Sequence, residues 1–286
     1  MRVLEAVRYS LEVLSAAGID DPPADAEGLV LHCAGLERLT AYTDNPEIGP
    51  QLVAKIKKLT GRRARGEPLQ YIVGHMTFCG LEIAVGRGVL IPRPETELLV
   101  EEAVRTLKQK ALTAAPMSIL DLCTGSGCIA LALALDFPGA EVIGTDLSVK
   151  ALRYARKNAA ANGIRTVAFK KGSLFGPVKK GMRFDLITAN PPYICSAEIP
   201  GLQREVRDWE PVTALDGGAD GLDFYRAILS GAGGYLKPDG ALVMELGYGQ
   251  AAAVTGLARQ HGFRAIEVVR DFAGLERIMK ARTAET

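Results

Sequence analysis

At 286 residues the chain is long enough for one large domain, or for a small domain beside a larger one. Its 48% hydrophobic and 23% charged residues are ordinary globular material, and its longest apolar run, residues 128–135, falls far short of the roughly 20 needed to cross a bilayer. A formal charge of +1 excludes a global field that would gather a polyanionic partner, while local patches stay open. In chain order, Val3, Val7, Leu11 and Leu14 recur at helical spacing among Arg2, Glu5, Arg8 and Glu12, which predicts a soluble amphipathic helix and not a secretory signal. Further helices are predicted over 24–36, after the break Asp20-Asp21-Pro22-Pro23, and over 50–60. From Gln70 to Ile91 the pattern changes to short β-type runs, YIVG and TFCGLEIAV, with glycines between them, which suggests a hairpin. IPRPETE then turns the chain into a helix over 97–108, supported by the stripe Leu99, Ala103, Val104 and Leu107. KALTAAPM, at 110–117, reads as a linker.

Beyond it strand and helix alternate. MSILDL, AEVIGTDL, TVAFKK, FDLITA and ALVMELG read as strands, with helices over 128–135, 149–162 (stopped by Gly163) and 250–261. That order predicts an α/β fold with a mostly parallel, doubly wound sheet and right-handed crossovers. FRAIEVV and LERIMKA, separated by RDFAG, suggest an antiparallel hairpin on the sheet edge. The long stretch after residue 194 shows no obvious periodicity, and there are no internal repeats. Three parts are expected: a helical domain over 1–66, a β-hairpin and connecting segment over 67–110, and the sheet domain over 111–286. The five cysteines, Cys33, Cys79, Cys123, Cys128 and Cys195, are odd in number and scattered, so free thiols in a reducing cytoplasm are expected. Cys123 and Cys128 match no common zinc knuckle, neither His32 nor His75 is near them in sequence, and no metal is expected.

In a sheet of this kind ligands bind beyond the carboxyl ends of the strands. LDLCTGSGCIALALA puts Asp121, Cys123, Thr124, Gly125, Ser126 and Gly127 at the first such end, where the two glycines allow a tight turn and a close approach to the helix that follows. Asp146 ends the next strand, about 20 residues on, where a carboxylate can accept hydrogen bonds from both ribose hydroxyls. The third glycine of the dinucleotide fingerprint is missing, so an adenosine-bearing cofactor suits the loop better than NAD. At the end of the fourth strand stands Asn190-Pro191-Pro192-Tyr193. The Asn190 carbonyl and the backbone carbonyls held by the stiff proline pair can grip both hydrogens of a planar NH2 group, and Tyr193 can stack on its plane. Such a nitrogen is a poor nucleophile because its lone pair is delocalised, and two acceptors on its hydrogens favour the pyramidal, reactive form. No strong base is evident nearby in sequence.

These residues, with EPLQYIVG (67–74), LIPRPETE (90–97), DLCTGSGCIAL (121–131), GTDLS (144–148), NPPYI (190–194) and EPVTALDGGADGL (210–222), resemble the class I S-adenosylmethionine-dependent methyltransferases, and within them the protein-glutamine N5-methyltransferases of peptide chain release factors. The resemblance covers nearly the whole chain. It implies methyl transfer from S-adenosyl-L-methionine, with S-adenosyl-L-homocysteine as product, to the glutamine of the Gly-Gly-Gln loop of bacterial class I release factors. It also implies that the N-terminal domain helps recognise the factor. Carried over by position, Cys123 to Gly127 would line the methionine part of the cofactor, Asp146 would hold the ribose, and Leu174 would pack beside the adenine. Asn190, Pro191, Pro192 and Tyr193 would hold the glutamine amide. Arg93 and Glu95 look like part of the pocket wall. The family usually has glycine where this chain has Cys123, and an aromatic where Leu174 stands. A cytoplasmic monomer with no membrane attachment and no stable nucleic-acid partner is expected.

Three alternatives are weighed beside it. The same clamp serves adenine N6 or cytosine N4 amines in nucleic acid, for which the cluster Lys55, Lys57, Lys58, Arg62, Arg63 and Arg65 is the one basic candidate, and ribosomal-protein glutamine methyltransferases share much of the plan. A cofactor-binding scaffold that transfers nothing would have no use for Asn190 beside Tyr193.

Overall fold

The computed structural model describes residues 1–110 and 117–283, so the linker expected at 110–117 lies, apart from its two end residues, outside the described residues. The first elements are the helices α1 (Val3–Ala16), α2 (Pro22–Ala34), α3 (Arg38–Asp44), α4 (Pro50–Ala64) and α5 (Leu69–Val73). A hairpin, β1 (His75–Phe78) and β2 (Leu81–Ala84), leads to α6 (Thr96–Lys110). Then come β3 (Ser118–Leu122), α7 (Cys128–Asp136), β4 (Glu141–Asp146), α8 (Val149–Ala161), β5 (Val167–Lys171) and β6 (Phe184–Ala189). The chain continues through α9 (Arg204–Trp209), α10 (Asp223–Ala232), β7 (Leu236–Glu245), α11 (Ala251–Gln260), β8 (Phe263–Arg270) and β9 (Glu276–Thr283). By internal contacts it divides into two units, Met1–His75 with Gln203–Trp209, and Met76–Leu202 with the chain from Glu210 onward.

In the first unit α1, α2 and α4 pack around Val3, Ala6, Leu29, Val30, Ile56 and Leu59. Local signals delimit α2: Asp21 accepts the Ala24 N–H at 3.3 Å, Pro22 opens the first turn, and Gly35, at φ +64°, closes the last. The YIVG run predicted as β-type is helical instead. Pro68 fixes φ at its start, and Tyr71 and Ile72 of α5 are buried, so tertiary packing overrides the strand preference of Ile and Val. Arg63 of α4 is buried between Asp25 and Glu205, and the second of these pairings holds α9 within the unit. Arg62 pairs with Glu67. Two of the six cations in the basic cluster are therefore committed to internal pairs.

The second unit is built on a seven-stranded sheet in the order β5-β4-β3-β6-β7-β9-β8. The pairs β4–β5, β3–β4, β3–β6 and β6–β7 are parallel, while β7–β9 and β8–β9 are antiparallel, as the doubly wound reading with a terminal hairpin requires. The hairpin is inserted with its second strand inward, so β8 forms the edge. The central strands are apolar almost throughout because helices cover both faces, and α7 is buried from Cys128 to Ala134, so it carries no polar stripe. A second core, on the other flank, gathers Phe184, Ile187, Leu242, Met244, Val254 and Tyr225. Tyr225 belongs to α10, which the sequence reading passed over in the stretch after 194. Its buried residues Tyr225, Ile228, Leu229 and Ala232 do recur at helical spacing. Among the described residues no helix is long and apolar enough to cross a membrane.

Because the chain proceeds outward from β3 through β4 to β5 and then returns to lay β6 on the other side of β3, the strand order reverses between β3 and β6. The crevice beyond their carboxyl ends is where an open α/β sheet accepts a ligand.

Candidate active site

A pocket of about 390 Å³ opens at that switch point. Its wall draws on the ends of four strands: Cys123 to Ser126 after β3, Thr145 to Ser148 around the end of β4, Gly172 to Leu174 after β5, and Asn190 and Pro192 after β6. Of the residues read from the sequence, Cys123, Thr124, Gly125, Ser126, Asp146, Leu174, Asn190 and Pro192 are thus brought together. Gly127, Pro191 and Tyr193 stand outside the lining. Gly127 instead caps α7 at φ +82°, where a Cβ would come within 3.0 Å of both Ala155 and Phe169. The close helix–sheet approach there requires glycine.

The β3 loop is fixed by a carboxylate on each side. Asp121, fully buried at the end of β3, accepts the hydroxyls of Thr124 (2.5 Å) and Thr188 (2.9 Å). Burial pushes its pKa up to about 7 against the pull of those two donors. Asp146 accepts the N–H of Gly125 at 2.8 Å on Oδ2 and that of Ser148 at 2.7 Å on Oδ1. Burial raises its pKa too, while the same two N–H groups favour the charged form. Each oxygen keeps a lone pair beyond those bonds, so the carboxylate can still accept two hydroxyls. Ile129, Leu147 and Leu174 supply apolar walls, and Thr145 Oγ1 is buried without a hydrogen-bond partner among the described residues. This donor set and size suit a polyhydroxylated ligand with a flat ring. Cys123 (φ +56°) and Leu174 (φ +45°) both occupy the left-handed region.

The proline pair has a rigid bed. Ile194 donates its N–H to Leu215 O at 2.9 Å and accepts that of Gly217 at 2.8 Å, and Ser196 N–H reaches Gly218 O at 2.9 Å. Gln250 Nε2 holds the Tyr193 carbonyl at 2.9 Å. The glycines of DGGADGL let the two segments touch, since a Cβ on Gly217 would lie 2.7 Å from Tyr193 Cα. The residues on either side of that segment add Pro211, Thr213, Ala214 and Phe224 to the pocket wall. Tyr193 turns its ring inward, its hydroxyl 3.4 Å from Glu245 Oε1, and burial together with that carboxylate raises its pKa.

Sequence reasoning missed several contributors. In the LIPRPETE segment the wall is made by Leu90, Pro92 and Thr96, whereas Arg93, expected there, pairs with the buried Glu210 at 2.6 Å and Glu95 is exposed. Glu210 also accepts the Ile91 N–H at 3.2 Å, so the pair pins the arm instead of facing the cavity. Asn158 of α8, fully buried, donates to Ser126 O at 2.9 Å and to Ala84 O at 3.1 Å, and accepts the Ala84 N–H at 2.8 Å, joining the hairpin to the glycine loop. A lone amide on the apolar face of a predicted helix was its signal. Glu245, a carboxylate closing an apolar strand, was the other: no strong base is evident near Asn190 and Tyr193 in sequence, and the fold brings this carboxylate to the Tyr193 hydroxyl from 52 residues away.

Comparison with known proteins bears on these observations. A family profile described as "PrmC N-terminal domain" matches residues 5–74, and one described as "Methyltransferase domain" matches residues 114–264. The release factor glutamine methyltransferase of Thermodesulfovibrio yellowstonii is 48% identical over 255 residues, covering 89% of this chain and 90% of that protein. Its counterpart in Geobacter sulfurreducens is 44% identical over 271 residues, covering 94% and 92%. Among solved structures, the Thermus thermophilus 16S rRNA N2 G1207 methyltransferase in complex with AdoMet and guanosine superposes with a TM-score of 0.51 at 20% identity, covering 73% of this chain and 50% of that one. At that identity the likeness speaks to the fold alone.

Proposed function

Since the chain belongs to the release factor glutamine methyltransferase family, we propose that its pocket binds S-adenosylmethionine and methylates the side-chain N5 of the glutamine in the Gly-Gly-Gln loop of bacterial class I release factors. One observation carries this reading: Asp146 and Asn190, a ribose acceptor and an amide acceptor, line the same switch-point cavity from the ends of different strands. When bound, S-adenosylmethionine supplies a methyl carbon made electrophilic by its sulfonium and departs as S-adenosylhomocysteine. Asp146 would accept the ribose hydroxyls, the loop from Cys123 to Ser126, with Gly127 capping the helix behind it, would hold the methionine portion, and Leu174 would pack beside the adenine. Asn190 Oδ1 and a backbone carbonyl of Pro191-Pro192 accept the two N–H groups of the glutamine amide. They hold its nitrogen with the lone pair drawn out of conjugation and aimed into the pocket. Tyr193 closes the amide's side of the site. The N-terminal helical unit contributes to recognition of the factor, and the enzyme works in the cytoplasm as a monomer without a stable nucleic-acid partner.

Labelled-methyl transfer to purified release factor, run beside DNA and ribosomes, tests the assignment. Label confined to nucleic acid would overturn it in favour of the exocyclic-amine reading, which family membership disfavours. Asn190→Ala is expected to lower kcat by about 100- to 1,000-fold, the scale of losing one preorganised polar contact to the reacting group. Its affinity for S-adenosylhomocysteine should stay close to that of the parent. Asp146→Ala should instead weaken that affinity by about 10- to 100-fold, as expected for losing hydrogen bonds to a charged acceptor. Calorimetry showing unchanged affinity would remove the ribose contact.

A further inference from the structure

Thr96 lines the pocket, Glu245 is its hydrogen-bond partner, and neither has a role in the reading above. Both are buried polar residues, 2% and 1% exposed. Parallel pairing sets Ala189 of β6 opposite Met244 of β7, so the next residues, Asn190 and Glu245, leave adjacent strand ends together, and α6 presents Thr96 to both. Asn190 Nδ2 donates to Thr96 Oγ1 at 3.2 Å, and Thr96 Oγ1 donates to Glu245 Oε2 at 2.7 Å. Glu245 Oε1 faces the Tyr193 hydroxyl at 3.4 Å.

A hydroxyl carries a single proton, and an ionised carboxylate accepts only. Thr96 gives its proton to Glu245 and therefore meets Asn190 with a lone pair. The amide must answer with its NH2. The geometry points to Thr96 and Glu245 as positioning residues that fix which face of the Asn190 carboxamide is offered to the substrate. With Nδ2 engaged by Thr96, Oδ1 is the atom left to accept, and among the described residues it receives no hydrogen bond. Without the relay the terminal torsion of Asn is broad and nearly two-fold, so the flipped amide costs little. Flipped, it would present N–H to the incoming N–H, and donor would face donor. Burial, and after it the charge of Glu95, raise the Glu245 pKa, and the Thr96 hydroxyl, the charge of Arg277 and the Tyr193 hydroxyl oppose that rise, toward the ionised, accept-only form that the relay uses.

The inference rests on the reading that Asn190 receives the glutamine amide, and the test separates the two. Thr96→Val keeps the side-chain shape and removes the hydroxyl, and Thr96→Ser restores it. For each variant, kcat and KM for the release factor are measured alongside calorimetric affinity for S-adenosylhomocysteine, which also reports folding. Thr96→Val is expected to lower kcat by about 10- to 100-fold, the cost of an unpaired buried polar group. KM and cofactor-product affinity should stay within about twofold, and Thr96→Ser should recover most of the loss. Because Thr96 acts through Asn190, Thr96→Val should change nothing further in the residual turnover of Asn190→Ala. Full kcat in Thr96→Val, a Ser variant as impaired as the Val variant, or losses that multiply with Asn190→Ala would each overturn the relay and leave the clamp standing. Normal turnover by Asn190→Ala alone would sink the clamp itself, and the relay with it.

Discussion

Gly221 offers a way to disturb the proline clamp without touching a residue that meets the substrate. It sits at φ +72°, and a Cβ built on it would lie 2.4 Å from the Tyr193 carbonyl oxygen and 2.6 Å from Gln250 Nε2. The left-handed backbone costs an alanine about 1–2 kcal/mol, and forcing a methyl against main chain adds about 1–3 kcal/mol. The reduced freedom of the unfolded chain returns roughly 0.5–1 kcal/mol. Gly221→Ala is therefore expected to lose about 1–4.5 kcal/mol, which most native domains survive. What cannot survive is the position of Tyr193. Its carbonyl must retreat from the new methyl and break the 2.9 Å bond from Gln250, and Pro192 moves with it. A displacement approaching 1 Å in a reacting site costs about 100-fold in rate. Gly249→Ala is the control, since Gly249 has nearly the same φ, +74°, with nothing within 4 Å of its built Cβ. Initial rates at saturating substrate and thermal melts should show both variants destabilised, with only Gly221→Ala losing kcat. Equal kcat in the two would refute the claim that the glycine segment sets the clamp's geometry.

Two further outcomes concern the β3 loop. Asp121 has a folded pKa of about 7 against 3.8 for the free group, so the native state binds more protons between those values. Stability should therefore fall as pH rises from about 4 to 7 and level off above, with a ceiling near 4 kcal/mol for this one group. Asp121→Asn should flatten that slope in melts across the range, and an unchanged slope would assign the pH dependence elsewhere. Cys123 is held at φ +56°, so Cys123→Gly should be about 1 kcal/mol more stable than Cys123→Ala, the reverse of the usual order, by denaturant unfolding.

Sheet and pocket rim were legible because each of their signals is local. An apolar run that stops at glycines, a carboxylate or a proline pair marks a buried strand ending at a ligand crevice, and Gly125, Asp146 and Asn190 each follow or close such a run. α10 was not, because Gly217, Gly218, Gly221, Gly231 and Gly233 surround and interrupt its apolar spacing. The relay is out of reach for a different reason. Thr96 and Glu245 are 149 residues apart, and neither lies in a pattern that chemistry demands; only the β6–β7 register and the placement of α6 make them partners of Asn190. Arg93 was misplaced on the same ground, since its carboxylate partner, Glu210, is 117 residues away.

The two prolines explain why so much of the second unit is devoted to four residues. They remove two N–H donors from the segment, so the strand ladder cannot continue and the clamp must be secured from its flanks. On one side Thr96 takes the Asn190 side chain; on the other, Gln250 takes the Tyr193 carbonyl and the Leu215–Gly218 backbone pairs with Ile194 and Ser196. Between those anchors the carbonyls of the pair receive no hydrogen bond among the described residues, which leaves their lone pairs to the amide that the proposed function brings. An ordinary strand end would donate and accept in equal measure, and could tell an amide N–H from a carbonyl only weakly. Where the proline pair accepts without donating, a group presenting only lone pairs finds no partner, which fits the proposed role of the site, to hold a carboxamide by its nitrogen and keep the adjacent carbonyl oxygen out of the methyl's path.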